Sequence, residues 1–417
     1  MRVELKVWNV GHGEAMRIDF ENGLSVVRDF GRHRQAKSTP TSIRVQDVIA
    51  APLVMPNRQT VAILSHAHED HFSGFREMYR RGHRPVFEEC YIPWLDFSTA
   101  GALGWQVVML GLYLFAYYGK GTPAAITTEN WTEAAPLMAA LGVRLRGVAA
   151  KYSFQWDGAE ARVLWPPHPT QADWWDNHKR LIDRTLRDIR RQVGKGDRGG
   201  VVDVVEESAR AISTVLGGYY NPEFAALQFD EGRIKSDLKV IESKLTLLGE
   251  RSIQHNLALD RTFSAASAGR RSFIDDHSLV FEIGRSALFL SDLHGASMDM
   301  MARQYMDKTR NYALMKSAHH GTRLGHLEFR KAVGRARDIL HCCGPASSVF
   351  HAPIDDYRCF APERIISTDY HPKESRVNDG IPRLVFGTQQ MTFELEGRTR
   401  GKAHTNYGTV SIRGMTR

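Results

Sequence analysis

Ser65-His-Ala-His-Glu-Asp-His-Phe-Ser-Gly74 is the stretch on which the reading of this chain turns. His66, His68, Asp70 and His71 put four metal-competent side chains into six positions. Imidazole and carboxylate at that density suit Zn²⁺, Mn²⁺ or Fe²⁺. The run before them, Val61-Ala-Ile-Leu64, is short and apolar, the pattern of a buried strand. A strand that stops at Ser65 leaves the four groups in a loop at its C-terminal end. Alternation points His66 and His68 to one side of an extended segment. Asp70 and His71 then fall where the chain turns into a helix. The alternative is a solvated polar loop, but three histidines interleaved with an aspartate weigh against chance.

Working outward, further candidates follow in order. Phe289-Leu-Ser-Asp292 is an apolar strand ending in an acid, which on its own is also the pattern of a cap or turn residue. Met315-Lys-Ser-Ala-His-His-Gly-Thr322 supplies a histidine pair. Upstream lies Asn9-Val-Gly-His-Gly-Glu-Ala15, and before the acidic strand end comes Asp276-His-Ser-Leu-Val280. Late in the chain stands Ile366-Ser-Thr-Asp-Tyr-His-Pro372.

Together these segments resemble the metallo-β-lactamase superfamily. Within it they are most similar to the hydrolase domain of the DNA-uptake channel protein ComEC and its soluble relatives. The resemblance covers about residues 1 to 95 and 271 to 375 and implies an α/β fold, an αββα sandwich, here with a largely helical insertion. It implies two divalent metal ions, zinc or manganese. His66 and His68 would hold one ion, and Asp70 and His71 the other, with Asp292 bridging. His319 is expected as the last ligand and His320 as a supporting or substrate contact. Asp29 would orient a ligand histidine. Lys316 and Thr322 are expected to bind substrate. Asp70, His320 and His371 are the expected catalytic residues. Several positions depart from the branch: Asn9, His12, Glu14 and Ser291. The separate histidine many members carry between the first metal loop and the bridging aspartate is missing, and His277 is the nearest candidate to replace it.

Length and composition allow a large core. The chain has 417 residues, 42% of them hydrophobic, enough for one large domain with an insertion or for two domains. The net charge of +8 fits a polyanionic substrate but is spread along the chain. Cys90, Cys342, Cys343 and Cys359 form no CxxC pair and read as reduced thiols of a cytoplasmic protein. The N-terminus alternates like a strand and carries no signal-peptide block. Phe97 to Gly119 has no charged residue, yet its glycines and tyrosines favour a buried helix over a membrane span.

Residues 1–95 read as the first half of the fold. A hairpin crosses Gly11 to Gly13, a strand begins at Leu24, and a short helix follows at Ile43 to Ala50. Residues 96–270 hold remaining fold elements, including strands at Arg144 to Ala149 and Ala161 to Trp165, plus an insertion at about 170–265. There, Asp176 to Val193 has helical spacing, with Lys179, Arg180, Arg184, Arg187, Arg190 and Arg191 off its apolar face. Residues 271–417 return to strands.

The expected function is metal-dependent hydrolysis of nucleic-acid phosphodiesters, with DNA before RNA. Trp165, Trp174 and Trp175 are candidates for stacking on unpaired bases, against ordinary core packing. A small-molecule hydrolase (lactonase, thioesterase or phosphoester hydrolase) and a non-catalytic metal-holding module are the competing readings. Homo-oligomers and partner proteins of a larger system are left open, and no stable membrane insertion is expected.

Overall fold

The computed structural model describes residues 2–33, 44–50, 58–83, 87–94, 144–156, 158–168, 274–293, 295–306, 309–321, 327–344 and 357–368. It also describes three late strands and some isolated positions. The chain divides into two compact units. The first comprises Met1–Pro93, Leu141–His168 and Asp275–Arg417, and the second Trp94–Ala140 and Pro169–Ile274. The first unit is mixed α/β, built on two eight-stranded mixed sheets.

One sheet uses β1 (Arg2–Val7), β2 (Ala15–Phe20), β3 (Leu24–Phe30), β4 (Gln59–Ile63), β5 (Glu89–Pro93), β6 (Arg144–Val148), β15 (Gln389–Glu394) and β16 (Ser411–Gly414). Their order is β16-β15-β1-β2-β3-β4-β5-β6. The other uses β7 (Ser153–Trp156), β8 (Ala159–Trp165), β9 (Val280–Ile283), β10 (Ala287–Phe289), β11 (Arg310–Lys316), β12 (Val333–His341), β13 (Arg364–Ser367) and β14 (Leu384–Phe386). Their order is β14-β13-β12-β11-β10-β9-β8-β7. Each sheet begins as antiparallel hairpins and ends as parallel strands. The change comes at β3 in the first and at β10 in the second.

Period-two alternation builds the core. Val3, Leu5 and Val7 of β1, Met16, Ile18 and Phe20 of β2, and Val26 of β3 turn inward from one sheet. Phe154, Trp156, Phe281, Phe289 and Leu314 turn inward from the other, in the same cluster. Phe281 and Phe289 stack with centroids 4.9 Å apart. The parallel strand β3 is buried along its whole length, on both faces, as expected of a strand whose outer face a helix covers. That helix is α2 (Glu69–Arg80), and its Phe75 meets Phe30 edge-on at 5.9 Å. Helices α1 (Val45–Ala50), α3 (Gly295–Tyr305) and α4 (Leu327–Ala332) are the other α-helices among the fully described segments.

The hairpin across Gly11 to Gly13, the strands at 24 and 61 and the short helix before 50 are all present. In the second unit the described positions Asp176, Arg180, Arg184, Arg187 and Arg191 are helical and exposed, as the spacing predicts. For Trp165 and Trp174 the core-packing reading holds. They are 0% and 4% exposed, so both are packing residues and neither offers a face to a base. Trp175 and the segment Phe97 to Gly119 lie outside the described residues. No helix of the described residues is long and apolar enough to cross a membrane.

Parallel strands all point one way, so their C-terminal loops gather at one edge of each sheet, where α/β proteins place ligands. The loops after β3, β4, β10 and β11 carry the functional candidates. Gly31 ties two of them together. Its N–H donates to the Glu14 carbonyl at 2.8 Å, and the Glu14 N–H points at the carbonyls of Gly31 and Asp70 at 3.1 and 3.0 Å. A Cβ on Gly31 would sit 2.5 Å from the Asp70 carbonyl carbon and the His71 nitrogen, both backbone atoms that cannot swing aside. Gly31→Ala is expected to cost about 1–3 kcal/mol through overpacking. Urea denaturation checks this, and a change under about 0.5 kcal/mol would refute it.

Candidate metal centre

The site is assembled from chain segments far apart in sequence. His66 and His68 leave the end of β4, and Asp70 and His71 occupy the first turn of α2. Asp29 ends β3, Asp292 follows β10, and His319 and His320 form a tight turn after β11. His66, His71, Asp292 and His320 are 0–3% exposed and Asp70 is 8% exposed. A further aspartate, Asp275, enters from the turn before β9 and is 6% exposed.

Asp292 is the centre. Its Oδ2 lies 3.6 Å from His66 Nε2, 3.7 Å from His320 Nε2 and 3.8 Å from His319 Nε2, and its Oδ1 lies 3.5 Å from His71 Nε2. Asp70 Oδ2 is 2.9 Å from His320 Nε2 and 3.9 Å from His12 Nε2. His66 Nε2 and His68 Nδ1 face each other at 3.1 Å, and Asp275 Oδ1 is 3.3 Å from His68 Nδ1. Three groups therefore bring their donor atoms within 4.8 Å of one another: His66, His68, Asp275 and Asp292; His12, Asp70 and His320; and Glu14, His71 and His320.

The imidazole tautomers test whether a cation fits. His320 Nδ1 is 2.7 Å from the Cys342 carbonyl oxygen, which can only accept, so Nδ1 carries the hydrogen. Its other nitrogen, Nε2, is then the atom that faces the Asp70 carboxylate, 2.9 Å away. His71 repeats the arrangement, with Nδ1 donating to Asp29 Oδ2 at 3.1 Å and Nε2 facing Asp292. Asp29 is itself held, accepting from the Ser65 N–H and the Ser65 hydroxyl, each at 2.7 Å. Lone pairs aimed at carboxylates need a proton or a cation between them. Rings fixed through the far nitrogen are the arrangement that metal-ligating histidines use. These buried groups could hold a metal ion.

Electrostatics agree with the geometry. Burial lowers His66 well below the usual imidazole value, and neighbouring His71 lowers it further. Burial opposes charge on His71 too, but Asp292 and Asp29 outweigh it and push that ring up to about 10. Burial works against Asp292, yet the surrounding imidazoles hold its carboxyl well below the ordinary range. For Asp275 the balance is reversed, and burial and the Asp292 charge raise it well above that range.

The backbone is strained at the same places. Asp29, Ser291, His319 and His320 have φ of 46°, 51°, 42° and 55°, left-handed values that side chains other than glycine rarely adopt. Each costs about 1–3 kcal/mol, and such residues persist where the surroundings over-determine them. Their shared position at the strand ends turns the side chains of Asp29 and His320 into the cluster.

Several expectations change. His320, not His319, is the buried member of the pair and belongs to the metal-compatible groups, whereas the His319 side chain is 27% exposed at the rim. The turn at 319–321 rotates one ring inward and the other out. Lys316 is 0% exposed, with Nζ 2.5 Å from Glu14 Oε2, so it lies beneath the site and is unavailable to substrate. His277 is 1% exposed but joins none of the three groups. Thr322 and His371 lie outside the described residues.

Asp275 and Arg28 lie outside the motifs, while His12 and Glu14 lie in the Asn9–Ala15 motif as departures with no role assigned from the sequence. Arg28 is fully buried, pairs with Glu14 and lies 3.4 Å from Asp29 Oδ2, with its guanidinium over the rings of Phe281 and Phe289 at 5.8 and 5.6 Å. An arginine in register with inward-facing Val26 was the available signal. A scan of protein-family models and a search of curated proteins found no match to this chain.

Proposed function

We propose that the chain is a metal-dependent hydrolase of the metallo-β-lactamase type that cleaves nucleic-acid phosphodiesters using two divalent ions, zinc or manganese. The observation that carries the hydrolase reading is the convergence of His66, His71, His319 and His320 on the single carboxylate of Asp292. His66, His68 and Asp292 would hold one ion, and Asp70, His71, His320 and Asp292 the other. When bound, such ions supply Lewis acidity and lower the pKa of water towards neutrality.

The chain's own groups do the rest. Asp29 and the Cys342 carbonyl fix the His71 and His320 rings through Nδ1, so neither ring must reorganise. His319, partly exposed beside Asp292, would be a group able to reach a substrate phosphate or give a proton to the leaving oxygen. Buried Lys316 counters the carboxylates from below. A nucleic-acid substrate is supported by the motif resemblance, by the net charge of +8 and by the exposed arginines at 180, 184, 187 and 191.

The test is degradation of labelled single-stranded DNA, duplex DNA and RNA with Mn²⁺ or Zn²⁺. Cleavage is expected to vanish with a chelator and in an Asp70→Ala/His71→Ala variant. Intact nucleic acid under every metal, or equal cleavage by the variant, would refute the proposal.

A further inference from the structure

We propose that Asp275 is itself a metal ligand. It would complete a subsite of two imidazoles and two carboxylates with His66, His68 and Asp292. This rests on the metal-dependent reading above and extends it to a residue outside every motif of the sequence.

Three observations carry the assignment. Asp275 is only 6% exposed, yet it ends no strand and caps no described helix through its side chain. Its Oδ1 faces His68 Nδ1 at 3.3 Å, without hydrogen-bonding geometry to any group among the described residues. One oxygen of its carboxylate also lies within 4.8 Å of donor atoms of His66, His68 and Asp292, so the four side chains could share one ion. Two buried carboxylates, Asp275 and Asp292, cannot both be charged in one small space without a cation between them. His277 stands two residues on but brings no atom into this group.

The backbone shows how Asp275 reaches the site. Residues 274–276 make a single helical turn, closed by the Ser278 N–H donating to the Asp275 carbonyl at 3.0 Å. The Leu279 N–H then bonds the Ser65 carbonyl at 2.8 Å, at the start of the histidine loop. The turn that carries Asp275 is thus pinned to the loop that carries His66 and His68. A second carboxylate in place of an imidazole makes the donor set harder. It shifts relative preference towards Mn²⁺ or Fe²⁺ and away from Zn²⁺, whatever the absolute affinities.

The experiment is metal titration of the full chain with Mn²⁺ and Zn²⁺, stoichiometry read by elemental analysis, for wild type, Asp275→Asn, His277→Ala and His68→Ala. Wild type is expected to bind two equivalents. Asp275→Asn, which keeps the shape, is expected to lose about tenfold or more in affinity at one site and to keep the other. Its Mn²⁺ affinity should suffer more than its Zn²⁺ affinity. His277→Ala is expected to match wild type. A Co²⁺-loaded Asp275→Cys variant is expected to show a thiolate-to-cobalt charge-transfer band, a signature that a merely positioning residue would not produce. Unchanged binding in Asp275→Asn, beside loss of an equivalent in His68→Ala, overturns the assignment and leaves the metal reading intact. Weakened binding in Asp275→Asn with no band in Asp275→Cys also overturns it, making Asp275 a positioning residue for His68. A wild-type chain that binds no metal overturns both.

Discussion

On the proposed function, Asp292→Ala is expected to abolish metal retention and to lower hydrolysis by on the order of a thousandfold or more, because the ions would supply the activation of water. No other carboxylate among the described residues faces so many imidazoles: His66, His71, His319 and His320 all lie within 3.8 Å of its oxygens. Those rings come from two segments, the 65–71 strand-to-helix turn and the 319–321 turn, so Asp292 also joins the two at one point. A ligand that binds only the folded protein adds about 4 kcal/mol at a thousand times its Kd. Wild type should therefore melt at higher temperature when Mn²⁺ or Zn²⁺ is added, and Asp292→Ala should not respond. Hydrolysis within tenfold of wild type, or an undiminished metal-induced rise in Tm, would contradict the role given to Asp292.

The second large effect lies beneath the site. Glu14 is the shared partner of Arg28 and Lys316, and all three side chains are 0% exposed. Burial and the Arg28 charge push Lys316 down to about 8, so Lys316 is charged at neutral pH only at a cost that Glu14 offsets. Glu14→Ala leaves two cations in the core with Asp29 and Asp292 as the remaining nearby anions. Removing one partner of a buried pair costs about 3–5 kcal/mol, whereas replacing a pair with apolar groups is much milder. Glu14→Ala is therefore expected to lose about 3–5 kcal/mol in urea denaturation. Glu14→Gln/Lys316→Met is expected to be the more stable of the two variants, a non-additivity that neighbouring charges produce. A single-variant loss under about 1 kcal/mol, or a double variant worse than the single, would refute the network. Activity should fall too, since Glu14 Oε2 is 4.0 Å from His71 Nδ1 and its backbone N–H points at the Asp70 carbonyl.

How much of this was legible depends on distance along the chain. His66, His68, Asp70 and His71 sit within one strand-to-helix turn, where local periodicity alone shows that they cluster. Asp292 and Asp29 could be read only through the motif resemblance, since an acid at a strand end is by itself also the pattern of a cap or turn residue. Asp275 could not, because nothing local distinguishes an aspartate in a one-turn helix from a surface acid. Its meaning comes from the Leu279-to-Ser65 hydrogen bond that joins two distant segments. His319 and His320 are adjacent and chemically identical, and only the fold of the turn at 319–321 tells which ring goes inward.

Lys316 shows the same limit in a strand. It pairs with Leu340 and Phe289 in the parallel part of the second sheet. The strand is buried from Tyr312 onward on both faces, so alternation does not reveal which polar group is interior. The sequence by itself determined the strand-rich halves, the hairpins and the metal-competent loop. Those features are encoded by period-two patterning and by turn residues within a few positions of one another. The tertiary structure alone decided which carboxylates and which histidine complete the cluster, and that the basic residues Arg28 and Lys316 serve it from inside. Those choices depend on two sheets bringing their C-terminal edges together, and no local spacing carries that information.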